Sequence, residues 1–437
     1  MLLATSALAQ PAFAQPTTAV TLEEELASMR AELARMAARI ETLEKELNAA
    51  DAAPVVAAAV AAENASPTVE WKGAPQLNAD NGWSFKPRGR INVDAGIVAA
   101  PDGTDVDDGF GSEARRIRLG VSGDIPGGFG YKVEADFAGD EVALTDAIVT
   151  YENDGLEVSI GQHNNFQSLE ELSSSLHTSF IERAAFTDAF GFERRLGASL
   201  QYGTGDILLQ GGVFTSNSAD LPADDWSLDG RVVFAPKLGE TQVHLGSSIH
   251  RRELESGSTV RYRQRPLVHF TDLRFINTGN LDADEEFGLG LEAALIRGPF
   301  HASAETFWQT VERPGDLSDP TFFGGSIEAG YFLTTGDSRG YKNGKFDRVK
   351  PANPVGEGGF GAVQFNARYD RLDLNDDGVV GGTQDSYQFA LIWTTTDYAR
   401  FLINYARLNY QDTVFPDADG DTSYGVDAIG VRAQVDF

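Results

Sequence analysis

The stretch Phe85–Ile97, FKPRGRINVDAGI, decides the fold because its residues alternate between two chemical classes. Successive side chains of an extended chain point to opposite faces. The apolar face holds Ile91, Val93, Ala95 and Ile97. The polar face holds Lys86, Arg88, Arg90, Asn92 and Asp94. The period of two predicts a β-strand that separates an apolar environment from water.

The same alternation recurs from Trp83 to Phe437, for example in Tyr131–Phe137. No helical pattern in this region could cover the apolar faces of a sheet. An apolar face without a covering layer suits a membrane barrel, with lipid outside and water inside. The last seven residues also alternate and end in Phe437, which is typical of a terminal barrel strand. We therefore predict an all-β domain, an antiparallel transmembrane β-barrel.

Strand parity favours sixteen strands with both barrel ends on the periplasmic side. A further run near 259–275 would put the tight turn at Gly298 on the wrong side, so 251–285 is interpreted as an outer loop. The connection 163–194 is also long, and an inward fold would let it narrow a water-filled lumen. The periplasmic connection 336–358 is long without an evident reason. The predicted strands are 84–98, 112–124, 128–139, 142–152, 155–162, 195–203, 205–215, 226–235, 241–250, 286–296, 299–312, 322–335, 359–373, 384–395, 398–410 and 424–437.

The N-terminal part has a different organisation. Residues 1–14 resemble the end of a signal peptide and finish in Ala12-Phe13-Ala14. Residues 21–48 carry eight apolar residues at heptad spacing, which predicts an α-helical coiled coil in the periplasm. The alternative is a single amphipathic helix lying on its own domain. An Ala/Pro linker at 49–70 precedes the predicted barrel domain, 71–437.

Composition excludes several functions. The chain of 437 residues has no Cys and a formal net charge of −30, which argues against redox centres, thiolate metal sites and nucleic-acid partners. No later stretch approaches the ~20 apolar residues of a membrane helix. The six His show no metalloprotease spacing, and no nucleophile-elbow motif occurs. We predict neither an enzyme nor a cofactor.

Basic residues concentrate on the predicted lumen face, whereas many acids fall in outer loops. Selectivity depends on charge at the narrow part of a pore rather than on total charge. The guanidinium group suits oxyanions because it can donate two hydrogen bonds to one anion. The alternative is that these arginines pair with Glu134, Asp136 and Glu182 and only line a wet wall. The lumen positions are Arg88, Arg90, Arg116, Arg118 and Lys132.

From Trp83 to Phe437 the sequence resembles the phosphate-selective porin O and P family. The order and spacing of several segments carry the resemblance, rather than one decisive motif. It implies a homotrimer of 16-stranded barrels in the outer membrane and an anion pore with a basic constriction. The segments are Phe85–Gly96, Arg115-Arg116 after Glu113, Asp146–Tyr151, Gly161–Arg183, Tyr262–Gly279, Gly340–Pro351 and Gly359–Asp376.

The resemblance also implies a set of solute-binding residues. Strict alternation puts Arg116 inside and Arg115 outside, so a local bulge is needed for both to face the lumen. The family carries Lys where this chain has Glu171 and Leu176, and the loop 163–194 contains no Lys. We therefore expect anion preference rather than strict phosphate selectivity. The implied binding residues are Arg90, Arg115, Arg116, Lys132, Asp146 and Arg183.

The leading hypothesis is a passive porin for small anions, phosphate or polyphosphate among them. Its expected partners are two further copies of the chain, outer-membrane lipid and lipopolysaccharide. The second hypothesis is a structural envelope protein whose coiled-coil stalk binds peptidoglycan or a periplasmic protein. The third, a barrel hydrolase, is disfavoured because no nucleophile motif is present.

Overall fold

Sixteen strands pair edge to edge into a closed antiparallel barrel in the computed structural model, which describes residues 34–36, 38–39, 41–42, 45, 67–221 and 223–437. The ring closes because Val435 of the last strand pairs with Ile91 of the first. The predicted count of sixteen is confirmed. The strands are β1 (Ser84–Ala99), β2 (Gly109–Ile125), β3 (Phe129–Asp136), β4 (Ala143–Asn153), β5 (Leu156–Asn164), β6 (Arg194–Thr204), β7 (Ile207–Phe214), β8 (Trp226–Phe234), β9 (Thr241–Glu253), β10 (Glu285–Arg297), β11 (Phe300–Glu312), β12 (Thr321–Phe332), β13 (Ala362–Asp376), β14 (Val379–Thr396), β15 (Ala399–Gln411) and β16 (Tyr424–Asp436).

Short turns gather at the end of the barrel that carries both of its termini, here called the short-turn end. The turn between β4 and β5 is Asp154-Gly155, with φ of 48° and 81°. A two-residue turn with both φ positive matches the right-handed twist of the strands that it joins. The opposite end, the long-loop end, carries the connections 165–193 and 254–284.

Alternation along the strands separates two environments. Ile91, Leu245 and Phe401 point outward and are exposed, whereas their neighbours Asn92 and His244 point inward and are buried. The outward face forms an apolar band, and the inward face is polar, as the period of two predicts. No helix among the described residues is long and apolar enough to span a membrane.

The connection 165–193, here called the inner loop, crosses the lumen. It contains the short helices α1 (Leu169–Leu172) and α2 (Ala185–Ala189). The Glu305 carboxylate of β11 accepts hydrogen bonds from the backbone N–H groups of Leu169 and Glu170, at 2.8 and 2.9 Å. The Asp370 carboxylate of β13 accepts one from Ala185 N, at 2.7 Å. The expected inward fold of this loop is therefore present.

The connection 254–284, here called the mouth loop, is a loop as predicted, held by two short ladders. It packs with the inner loop and β11–β16 into a hydrophobic core at the long-loop end. Phe275 stacks on Tyr410 with ring centroids 5.0 Å apart, and Tyr262 meets Phe322 edge-on at 5.3 Å. This core fills much of the lumen at that end. The ladders pair Thr259–Val260 with Leu281–Asp282 and Arg263–Gln264 with Ile276–Asn277.

The long connection between β12 and β13 contains a hairpin, Gly340–Lys342 paired with Lys345–Asp347, here called the plug hairpin. It reaches into the lumen from the short-turn end. Arg231 Nη2 donates to Gly344 O at 2.8 Å, and Phe346 N donates to Ser173 Oγ of the inner loop at 3.1 Å. Tyr341 Oη lies 2.6 Å from His244 Nδ1. These contacts explain why the connection 336–358 is long, which the sequence pattern does not.

Few residues before the barrel are described. Residues 34–36, 38–39, 41–42 and 45, within the predicted coiled-coil segment, are helical and exposed. The predicted signal peptide lies outside the described residues, as does most of the predicted linker. The last linker residues belong instead to the strand Thr68–Trp71, which pairs with Pro75–Asn78 beside the start of β1. Other short elements are the 3-10 turn Ser218–Asp220 and the bridge Lys237–Leu238.

Candidate functional site

Three connected cavities lie in the lumen, and basic side chains predominate in each. The lower cavity, toward the short-turn end, has about 370 Å³ and is lined by eight basic residues and three carboxylates. The middle cavity has about 330 Å³, six arginines and four carboxylates. The mouth cavity has about 340 Å³, five arginines and three carboxylates. A lumen with a positive lining therefore lies inside a chain with a net charge of −30.

Five residues line both the lower and the middle cavity and so mark the boundary between them. We call this set the constriction ring. It combines two arginines of β2, one of β6 and two residues of the inner loop. They are Arg116, Arg118, Glu171, Arg183 and Arg194.

A β-bulge brings adjacent arginines of β2 to the lumen. Arg116 pairs with Asn92 and Ala114 pairs with Val93, so Arg115 has no partner in the ladder. Its side chain donates two hydrogen bonds to the Glu182 carboxylate of the inner loop, at 3.0 and 3.2 Å. The bulge is the feature needed for both arginines to face inward.

Glu182 is held as an anion by its neighbours. Burial alone would raise the pKa of Glu182, but the guanidinium groups of Arg115, Arg432 and Arg116 outweigh it and hold that pKa well below its usual range. Arg115 therefore forms a two-pronged ion pair rather than an open anion site.

Arg116 differs from the other arginines of this wall. Only 6 % of the residue is exposed, yet its Nε and Nη1 atoms have no hydrogen-bond partner among the described residues. A buried N–H group is rarely left without an acceptor, and a guanidinium can only donate. Arg116 is therefore a cation that lines both cavities without an ion-pair partner among the described residues.

The remaining predicted residues of this wall form a network of ion pairs. Asp146 accepts from Lys132 Nζ at 2.7 Å and from Arg194 Nε at 3.0 Å. Arg90 lies 3.4 Å from Glu134 and donates to Ser175 Oγ at 3.0 Å. Arg118 pairs with Asp136 at 2.7 Å. The alternative expectation, that lumen arginines pair with wall acids, thus describes Arg90, Arg115 and Arg118 but not Arg116.

Arg183 lies in the ring, but the inner loop engages its guanidinium group. Its Nε donates to Glu170 O at 3.0 Å, and its Nη2 donates to Glu171 O and Ser173 O at 3.1 and 2.9 Å. Its Nη1 lies 3.2 Å from the Glu171 carboxylate. This geometry makes Arg183 a brace of the loop as well as a positive charge beside the passage.

The opposite wall carries arginines that the sequence argument missed. Arg368, Arg400 and Arg432 donate to inner-loop carbonyls at 2.8, 2.9 and 2.7 Å respectively. From the plug hairpin region, Arg339 donates to Ser179 Oγ at 3.0 Å. Period-two alternation places the three strand arginines inside, but no local signal reveals that their partners are loop carbonyls.

Comparison with known sequences identifies the family. The pattern of the phosphate-selective porin O and P family matches residues 85–437. The chain belongs to this family. Porin O of Pseudomonas aeruginosa is 26% identical, with 76% of this chain and 82% of that protein aligned. An uncharacterized protein of Caulobacter vibrioides is 45% identical, with 98% and 95% aligned.

Solved porin structures share the fold of this porin. An anion-selective porin from Comamonas acidovorans has a TM-score of 0.52 at 15% identity, covering 81% of this chain and 100% of that chain. The trimer form of OmpT of Vibrio cholerae has a TM-score of 0.51 at 10% identity, covering 82% and 100%. The family and the fold make the chain an outer-membrane channel rather than an enzyme.

Proposed function

We propose that this porin passes small anions in preference to cations, through the constriction ring. The observation that carries the proposal is Arg116, a buried guanidinium with two nitrogen atoms that no described protein group satisfies. Arg116 lines both the lower and the middle cavity, and no acid among the described residues forms an ion pair with it, so the charge of its guanidinium group acts on an anion in either cavity. An arginine that does not pair with a carboxylate can attract an oxyanion by its charge and orient it by hydrogen bonds of fixed geometry.

The lining of the passage supports the same direction of selectivity. Each of the three cavities has more basic than acidic side chains, so an anion meets a favourable potential along its path. The acids that give the chain its net charge lie largely elsewhere, as in Asp417–Asp421 of an exposed loop. Local charge at the narrow part governs which ion enters.

The substrates that we infer are small oxyanions, phosphate and polyphosphate among them. Arg90, Arg115, Arg116, Lys132 and Arg183, together with the acid Asp146, are the family-based candidates for contact with the solute. Of these, Arg116 has two nitrogen atoms without a described protein partner, whereas Lys132 and Asp146 bind each other at 2.7 Å. The ring also contains Glu171, so we propose a broad anion pore rather than one restricted to phosphate.

We further propose that three copies assemble and that residues 21–48 form a three-stranded coiled coil in the periplasm. The heptad spacing of eight apolar residues supports it, because such a narrow seam requires partner helices. The described residues of this segment are helical. The heptad pattern is also the observation that favours a second role, attachment of the outer membrane to peptidoglycan or to a periplasmic protein.

Reversal potentials in planar bilayers under a KCl gradient test the pore hypothesis. We expect chloride to be more permeant than potassium, and phosphate to reduce the chloride current by competing at the ring. A preference for potassium in the wild-type channel would contradict the proposal. The anchoring role has a separate test, since deletion of residues 21–48 would then alter the spacing of the envelope while conductance stays the same.

A further inference from the structure

One carboxylate lies among the arginines of the constriction ring. Of the five residues that line both the lower and the middle cavity, Glu171 is the acidic one. Every other member of the ring attracts anions. The negative charge of Glu171 therefore opposes the entry of anions, which the other members of the ring favour. The presence of a carboxylate at this position requires an explanation.

The Glu171 side chain is held firmly in this position. Its Oε1 accepts a hydrogen bond from Asn164 Nδ2 at 3.2 Å, and its Oε2 lies 3.2 Å from Arg183 Nη1. Its backbone N–H donates to Ser168 Oγ, which caps α1, at 3.3 Å. Only 8 % of the residue is exposed. Two side-chain contacts and a helix cap thus fix a negative charge beside the passage.

Fold stability alone does not account for the acidic group. The Arg183 guanidinium already donates to three backbone carbonyls, of Glu170, Glu171 and Ser173. A neutral amide at position 171 could accept from Arg183 through its one oxygen, and its NH2 group could donate to the Asn164 side chain once the Asn164 amide turns over. What the carboxylate adds is charge, and that charge acts on any ion in the ring.

We propose that Glu171 sets the selectivity of the pore by charge number, favouring singly charged anions over doubly charged ones. The inference rests on the proposed function, since it presupposes that anions pass the ring. The Coulomb energy of an ion in the potential of one fixed charge is proportional to the charge of the ion. Glu171 therefore disfavours a dianion twice as strongly as a monoanion, whatever the arginines contribute. It also keeps anions from binding too tightly to leave, which conduction requires.

Bi-ionic reversal potentials of the full-length channel test the proposal, with methanesulfonate as the monoanion and sulfate as the dianion. The recordings are made at pH 8, because burial raises the pKa of the Glu171 carboxyl and a basic solution favours its ionised form. Glu171→Gln is expected to raise the permeability ratio of sulfate to methanesulfonate about threefold or more, taking a water-like dielectric as the lower bound. Glu171→Asp keeps the charge and should leave the ratio near the wild-type value.

Glu240→Gln is the matched control, because Glu240 is an exposed carboxylate in the turn between β8 and β9 and should not affect the ratio. Equal ratios in wild type and Glu171→Gln would overturn the inference while leaving anion preference intact. An equal rise in Glu171→Gln and Glu171→Asp would also overturn it, because displacement of the loop rather than charge would be the cause. A wild-type channel that prefers potassium would overturn the proposed function, and this inference with it.

Discussion

Arginines on the two walls of the lumen perform different tasks. On the wall formed by β1–β6, Arg116 keeps two nitrogen atoms without a described protein partner. On the wall formed by β13–β16, Arg368 and Arg432 donate to backbone carbonyls of the inner loop, and Arg368 keeps one nitrogen, Nε, without a described partner. All three residues point inward and are buried. This difference is why we propose Arg116, rather than Arg368 or Arg432, as an anion site.

The physical reason lies in the inner loop itself. A segment that crosses a barrel without a regular ladder carries carbonyl groups that need donors. Arginine supplies up to five N–H groups and no acceptor, so it suits this need. Arg400 illustrates it, since its nitrogens donate to Thr178 O and Ser175 O at 2.9 and 3.2 Å.

The largest effect is expected from Arg432→Ala, which removes an anchor of the inner loop. Arg432 binds Asp94 at 2.7 and 2.6 Å, Ile181 O at 2.7 Å and Glu182 at 3.0 Å, and its side chain has no exposed surface. Loss of one partner of a buried ion pair costs about 3–5 kcal/mol. We expect a lower urea midpoint and a larger single-channel conductance, because the loop is released.

Arg407→Ala serves as the control for this variant. Arg407 binds Asp427 at 2.6 Å on the outward face, with about two-fifths of each side chain exposed. A partly exposed pair contributes about 0–1 kcal/mol. If Arg432→Ala has the same urea midpoint and conductance as Arg407→Ala, the wall formed by β13–β16 does not hold the inner loop.

A smaller loss of stability is expected from Arg183→Ala. This variant tests the comparison between the two kinds of arginine, because Arg183 lies in the ring and also donates to carbonyls of the inner loop. Its hydrogen bonds to three carbonyls are lost, at about 1–3 kcal/mol for carbonyls left without a partner. We expect a moderately lower urea midpoint, with phosphate block of the chloride current weakened less than in Arg116→Ala. Equal weakening of block in both variants would mean that Arg183 binds the solute directly.

Much of this architecture follows from local patterns in the sequence. Period-two alternation and turn residues predict sixteen strands. The bulge follows instead from the family resemblance, which places both Arg115 and Arg116 in the lumen. The plug hairpin could not be predicted, because its length is explained by partners far away in sequence, Arg231 and Ser173. For the same reason the sequence pattern does not distinguish Arg90 from Arg116, since both are predicted to face the lumen. The structure shows the difference: Arg90 lies beside Glu134, whereas two nitrogens of Arg116 have no described partner.

The smallest effect on conduction is expected from deletion of residues 21–48. The sixteen barrel strands begin at Ser84, and every residue that lines the three cavities lies after it, so the deletion removes none of them. We expect unchanged single-channel conductance and chloride preference, together with a less stable trimer in semi-native electrophoresis. A changed chloride preference would place part of the selectivity outside the two walls. A trimer as stable as the wild type would count against the three-stranded stalk.

The central claim is that Arg116, a cation of the ring without an ion-pair partner among the described residues, gives the pore its anion preference. The most direct test is the ratio of chloride to potassium permeability in wild type and Arg116→Gln, from reversal potentials under one KCl gradient, with Arg407→Gln as the control. We predict a wild-type ratio above one that falls about threefold or more in Arg116→Gln, since one fixed charge is removed from the ring. Single-channel conductance should stay within about twofold, because Arg116 Nε and Nη1 make no hydrogen bond to the inner loop within the described part of the chain. An unchanged ratio in Arg116→Gln, with the wild type still preferring chloride, would contradict the claim.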